Sequence, residues 1–238
     1  MTDQEITEAL AALGDARKAI RRGAAERLAA AVRATPPLRV VVAAALSSTD
    51  WQRRWAAAYA LAQVDPAATD VMAVLVEGLG SSDGDVRWAS ARLVTRAMAG
   101  HPEIGRTVEH LVASSSALQR KMALYCLRDA GAVLASVDER VVLRALGDVD
   151  AGVRMAAMAA AVALLPAGVV LADGIACLVD DPEPGVRRVA AVTLGRLGVR
   201  TDVVVAALVR ASLVTDAVLA RVARQALSRL AVPVPDRP

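Results

Sequence analysis

The sequence predicts an all-α chain: an α-solenoid, a right-handed superhelix built from about seven helical hairpins. Three observations predict it. An arginine recurs as Arg21, Arg54, Arg87, Arg120, Arg154 and Arg187, at intervals of 33 or 34 residues, and Ala220 occupies the seventh slot. Around each slot the apolar residues follow a 3.6-residue period, and no sustained period-two segment occurs. Four residues before each slot from the second copy on stands Asp50, Asp83, Ser116, Asp150, Glu183 or Asp216, most of them good helix N-caps.

Each copy reads as helix, short turn, helix. The second helices contain RRWAAAYAL (53–61), VRWASARLV (86–94), QRKMALYCL (119–127), VRMAAMAAA (153–161), VRRVAAVTL (186–194) and LARVARQAL (219–227). Their packing face carries Ala24, Ala57, Ser90, Ala123, Ala157, Ala190 and Ala223, then Leu28, Leu61, Val94, Leu127, Ala161, Leu194 and Leu227 one turn on. Upstream lie shorter apolar runs such as LRVVVAAAL (38–46), VMAVLVEGL (71–79), VVLRALGD (141–148) and DVVVAALVRASL (202–213). Ser116 with Gln119 has the spacing of a capping box, and Pro184 suits a first helical turn. One repeat domain is expected over 1–233, with a short Pro-rich tail at 234–238.

These residues resemble HEAT repeats, in particular the bacterial HEAT-like class first associated with phycobilisome lyases. The match is carried by strings such as DPEPGVRRVAAVTLGRLG (181–198). The resemblance implies a curved stack with the second helices on its concave side. It also implies a structural role for the recurring arginine, paired with the turn Asp of its own or an adjacent repeat.

Composition excludes several function classes. The chain has 238 residues and is 55% hydrophobic, enough to bury a core without disulfides or metals. Cys126 and Cys177 form no CxxC pair and fall in apolar helical runs, where buried free thiols are expected. The polar, acidic start MTDQEITEAL has no signal-peptide character, and a cytoplasmic location is expected. Met155 to Ala172 lacks charge, but Pro166 and Gly168 divide it into two short helices, so no membrane insertion is expected. Phosphate-loop, dinucleotide, nucleophile-elbow and zinc-protease motifs are absent, and His101 and His110 stand without a carboxylate or Cys cluster, so no cofactor and no metal site is expected.

The candidate site is the face of the second helices opposite the packing face. The chain has three Trp, two Tyr and no Phe, and all five aromatics fall on this face. Trp51, Trp55 and Tyr59 line up within DWQRRWAAAYA, with Trp88 one repeat on and Tyr125 beyond it. Eight basic residues share it (Arg22, Arg92, Arg96, Lys121, Arg188, Arg196, Arg221, Arg229) against Glu26 and Asp129, in a chain whose net charge is +3. Aromatics interleaved with cations predict a groove for an anionic partner. The expected binding residues are Trp51, Trp55, Tyr59, Trp88, Arg92, Arg96, Lys121, Tyr125, Asp129 and Arg188. The first expectation is a non-enzymatic scaffold or adaptor that takes a protein partner or acidic peptide. The alternative is nucleic-acid binding. Similarity in size and type to the HEAT-like alkylpurine DNA glycosylases extends that alternative to base excision, in which Trp55, Trp88 and Tyr125 would stand at the lesion with Asp129 as the catalytic carboxylate; the structural reading of Asp129 is an ion pair with Arg92 or Arg96.

Overall fold

The computed structural model describes residues 1–131 and 137–233; the expected Pro-rich tail lies outside them. Fourteen α-helices form among the described residues, in the predicted pairs, and no strand is present there. In the first unit, residues 1–108, these are α1 (Asp3–Ala12), α2 (Lys18–Ala34), α3 (Leu38–Ala43), α4 (Trp51–Ala62), α5 (Thr69–Gly78), α6 (Gly84–Met98) and most of α7 (Pro102–Leu111). In the second, residues 109–238, these are α8 (Ala117–Ala130), α9 (Glu139–Ala145), α10 (Ala151–Leu164), α11 (Val169–Cys177), α12 (Pro184–Leu197), α13 (Asp202–Leu213) and α14 (Ala217–Arg229).

Capping chemistry starts the second helices where the sequence places them. Asp50 accepts from the Gln52 N–H, Asp83 from Asp85, Asp150 from Val153, and Asp216 from Val218 and Leu219. Ser116 accepts from the Gln119 N–H, but the Gln119 amide oxygen takes the Ser114 hydroxyl. Ser114 in turn accepts the Ser116 N–H, so the predicted box runs through a third residue. The apolar stretch after Met155 breaks as expected: α10 stops at Leu164, and Gly168 is the N-cap of α11. Among the described residues, no helix is long and apolar enough to cross a membrane.

The recurring arginine binds the backbone of its own turn. Nη1 donates to the carbonyl six residues back in all six copies: Arg21 to Asp15, Arg54 to Ser48, Arg87 to Ser81, Arg120 to Ser114, Arg154 to Asp148 and Arg187 to Asp181. In five of them it also reaches the carbonyl five back, as in Arg87 to Ser82. The residue six back has a second task. Its side-chain oxygen accepts the N–H of the residue four back, from Asp15 to Arg17 and likewise at Ser48, Ser81, Ser114, Asp148 and Asp181. Each turn is thereby closed by one guanidinium and one short polar side chain, satisfying carbonyls that the first helix leaves open.

The structural role expected for this arginine therefore holds, and in two copies so does its pairing with a turn Asp of the adjacent repeat, though not with the acid four residues before the slot. Four residues before the slot, Asp50, Asp83, Asp150 and Asp216 are occupied as helix caps. The inter-repeat ion pairs go instead to the residue six before the next slot, Arg120 to Asp148 and Arg154 to Asp181, each at 2.7 Å. Arg54 reaches Glu77 at 2.9 Å. In the seventh copy both halves of the device are gone, Ala220 in the slot and Val214 six back; Arg224, one turn later, donates to the Ser212 carbonyl.

Small residues set the helix spacing in both units. A Cβ on Gly195 would lie 3.0 Å from the Ala226 backbone of α14, and one on Gly78 would collide with the Ser90 hydroxyl. Cys126 is buried as expected, whereas Cys177 is exposed, because α11 turns its C-terminal residue outward.

Candidate functional site

The ten expected binding residues divide between the two units, Trp51, Trp55, Tyr59, Trp88, Arg92 and Arg96 in the first and Lys121, Tyr125, Asp129 and Arg188 in the second. In the first, α2, α4 and α6 enclose a cleft of about 240 Å³ lined by Trp55, Tyr59, Trp88, Arg22 and Arg92, with Ala25, Ala56, Val86 and Ala89 as its apolar floor. The hollow has a local cause. The second residue after the slot arginine is Gly23, Ala56 and Ala89 in the first three copies, against Met122 in the fourth, while the residue just after the slot is Arg22, Trp55 or Trp88. Large side chains thus stand beside positions that have almost none.

The aromatic line predicted from DWQRRWAAAYA does not stay together. Trp51, the first residue of α4, lies under the guanidinium of Arg54, 5.1 Å from its ring centroid, and does not line the cleft. Trp55 is half-buried and its indole N–H donates to the buried Ser90 hydroxyl at 2.9 Å, tying α4 to α6. Tyr59 is buried at 6% exposure, with its ring 5.3 Å from that of Trp55 and tilted by 32°. Partial exposure, expected along this line as on a binding face, is found at Trp51 and Trp55 and fails at Tyr59. Each residue of α4 advances 100°, so a four-residue step drifts 40°, and two steps carry Tyr59 into the contact with α2. Trp88 is the ring that faces outward, at 48% exposure, with exposed Arg92 one turn on. Arg96 is exposed on the same helix but does not line the cleft.

Charge around this cleft is divided by side. At one edge Lys18, the first residue of α2, reaches Asp83 at 3.0 Å and Asp85 at 2.9 Å across two repeats. These bonds raise the Lys18 pKa, the Asp85 bond most. Burial raises that of Asp83, but Lys18 and the Asp85 N–H outweigh it, and the net shift is downward. On the other side stand Arg92 and Arg22; the Tyr59 hydroxyl, and after it Glu26, hold Arg22 above the ordinary guanidinium value. Sequence reasoning missed Lys18 and Asp85, which join only through folding, 67 residues apart.

In the second unit, Tyr125 is flanked by two cations, with Arg128 4.7 Å and Lys121 6.0 Å from its ring centroid. The Asp129 carboxylate is engaged within its own unit. Its partner is its chain neighbour Arg128, at 2.7 Å. Both side chains of this pair reach solvent. Arg188, 42% exposed, pairs with Asp216 at 2.9 Å and joins α12 to the turn before α14. A separate shallow cleft of about 470 Å³ runs over α8, α10 and α12, where Arg128, Arg188 and Arg196 rim Met158, Val162 and Val192. Among the described residues, no group of three or more His, Cys, Asp or Glu is placed to hold a metal.

No protein-family model matches the sequence, and no curated protein matches it. Solved structures do match the fold. YibA from Escherichia coli aligns with 97% of this chain and 93% of its own, at 15% identity and a TM-score of 0.59. An archaeal HEAT-like repeats protein from Thermococcus onnurineus aligns with 95% of this chain and 97% of its own, at 12% identity and a TM-score of 0.53. Kap95p, in its complex with RanGDP, matches 97% of this chain over 35% of its own length, at 14% identity and a TM-score of 0.64. With the clamped turns and paired helices above, these likenesses assign this chain the α-solenoid fold of the HEAT-like repeat proteins.

Proposed function

We propose that this protein is a non-enzymatic binding scaffold that holds a protein partner against the second helices, with the cleft of α2, α4 and α6 as the principal site. The observation that carries it is Trp88: an exposed indole beside an exposed arginine, over a hollow with an apolar floor. Trp and Arg are the side chains that most often dominate protein interfaces. The likeness to Kap95p, which is seen with a protein bound, agrees with such use of the fold. A cytoplasmic protein partner fits the same reading.

The edges of the cleft favour protein over nucleic acid. Asp83 and Asp85 stand on one side and Arg22 and Arg92 on the other, which disfavours a uniform polyanion and suits a polypeptide whose charge varies along its length. Capture from native lysate on the immobilised chain, with and without nuclease, tests this against the Arg92→Glu and Trp88→Ala variants. Nuclease-resistant protein capture that both variants abolish is expected. Capture that nuclease removes would transfer the site to nucleic acid, and capture indifferent to both variants would remove the cleft from the function.

A further inference from the structure

We infer that the cleft of the first unit is an anchor pocket: it receives one bulky apolar side chain of the partner polypeptide, whose neighbouring residue is a carboxylate that meets Arg92. This rests on the protein-binding reading above and adds the chemistry of the bound segment.

Size and lining select the anchor. An apolar hollow of about 150 Å³ is enough to hold a benzene ring, and this one measures about 240 Å³. Ala56 and Ala89 form its floor, and neither offers a hydrogen bond from its side chain. On the inner wall the Trp55 N–H is taken by Ser90, and Arg21 Nη1 by the Asp15 and Ala16 carbonyls and Gln52. Against this alanine floor an entering polar group would lose its water without replacement, whereas an aromatic or large aliphatic one gains from leaving water. The wall rings are set at an angle, Trp55 and Tyr59 by 32°, so the hollow accepts a single side chain from the open face beside Trp88 and offers no ladder for successive bases.

The edges select the flank. Lys18 is held by Asp83 and Asp85, leaving that side with one more carboxylate than ammonium. Arg92 stands opposite, exposed and one turn from Trp88. A carboxylate next to the anchor is attracted to the arginine side and repelled by the aspartate side, which fixes the direction in which the segment lies.

The test is a titration of the full chain, followed by its tryptophan fluorescence. The probe is an N-acetylated pentapeptide of two glutamates and two aspartates around a central phenylalanine, compared with the same peptide carrying a central alanine. The phenylalanine peptide is expected to bind at least about tenfold more tightly. Ala89→Leu, which fills the hollow from a half-buried position, is expected to remove that advantage with its melting temperature preserved; Trp88→Ala serves as a second variant should Ala89→Leu not fold. Arg92→Glu is expected to weaken both peptides. Equal binding of the two peptides, with Arg92 still required, overturns the anchor and leaves the protein-binding surface standing. Binding untouched by Ala89→Leu and Trp88→Ala, or no binding of the phenylalanine peptide at about 1 mM, also overturns it, while the lysate capture decides the broader reading separately.

Discussion

The guanidinium of Arg120 grips the carboxylate of Asp148 with two bonds of 2.7 Å, Nε to one oxygen and Nη2 to the other, while its Nη1 holds the Ser114 and Ser115 carbonyls. One side chain thus closes its own turn and clamps the next. Both partners are only 12% exposed, and the two-pronged geometry places this pair among the stronger kind. Arg154 repeats the arrangement with a single prong to Asp181, and its Nε is buried without a hydrogen-bond partner.

Removing one member leaves the other buried and uncompensated. Asp148→Ala is expected to destabilise the protein by about 3 kcal/mol. Arg39→Ala, whose pair with Asp70 is exposed, is expected to cost less than about 1 kcal/mol. Urea denaturation of the two variants beside the parent protein checks the difference.

Acid should find the same pair. The Arg120 guanidinium holds the Asp148 carboxyl below its ordinary value, and at Asp181 burial pushes up but Arg154 and the Glu183 N–H outweigh it. A carboxylate with a depressed folded pKa stabilises fully above its unfolded value of about 3.9 and loses that contribution as pH falls through the folded one. Stability is expected to decline below about pH 4, and Asp148→Asn to flatten the decline. Melting temperature against pH for the two proteins provides the measurement.

Two arginines five residues apart on α6 should behave in opposite ways. Arg87→Met strips donors from the Ser81 and Ser82 carbonyls and is expected to cost about 1 to 3 kcal/mol. Arg92→Met, on the exposed side, is expected to change stability by less than about 0.5 kcal/mol. Thermal unfolding distinguishes clamp from cleft edge directly.

The tryptophans divide likewise. Trp55→Phe removes the N–H that satisfies Ser90 inside the protein and is expected to lower stability by about 1 to 2 kcal/mol. Trp88→Ala, at an outward-facing ring, is expected to cost about 1 kcal/mol or less of stability while weakening partner capture by about 2 kcal/mol. Paired unfolding and capture measurements on both variants check this, and a large stability loss for Trp88→Ala would make that ring packing instead of recognition.

Close helix contact supplies a further test. Gly195→Val would drive a branched side chain into the Ala226 backbone and is expected to destabilise by about 1 to 3 kcal/mol through overpacking. Gly23, with open space around its missing side chain, should accept Ala with a gain of about 0.4 to 1 kcal/mol. Denaturation midpoints of the two variants decide the matter.

The helices, their pairing and their starts were legible in the sequence because each depends on residues within one 33-residue copy: a cap such as Asp83, an apolar period and a small residue at each contact. The clamp was half legible. Arg87 is visible as a repeat, but its partners are carbonyls, which every residue carries, so the side chain six back gave the usable signal: Ser81 here, Asp148 or Asp181 elsewhere, and Val214 where the arginine too is missing. Burial of Tyr59 was not legible, because a helical wheel gives an angle and not the distance to the next helix. Nor were the engagement of Arg188 by Asp216 and the strap from Lys18 to Asp83 and Asp85, which join residues 28 and 65 or 67 apart. The sequence by itself determined the repeat, its helices and the residues available to a site. Only the tertiary structure decided which of those side chains are buried between repeats and which, like Trp88 and Arg92, are exposed, since that depends on the spacing of neighbouring helices, and the spacing arises from packing between copies.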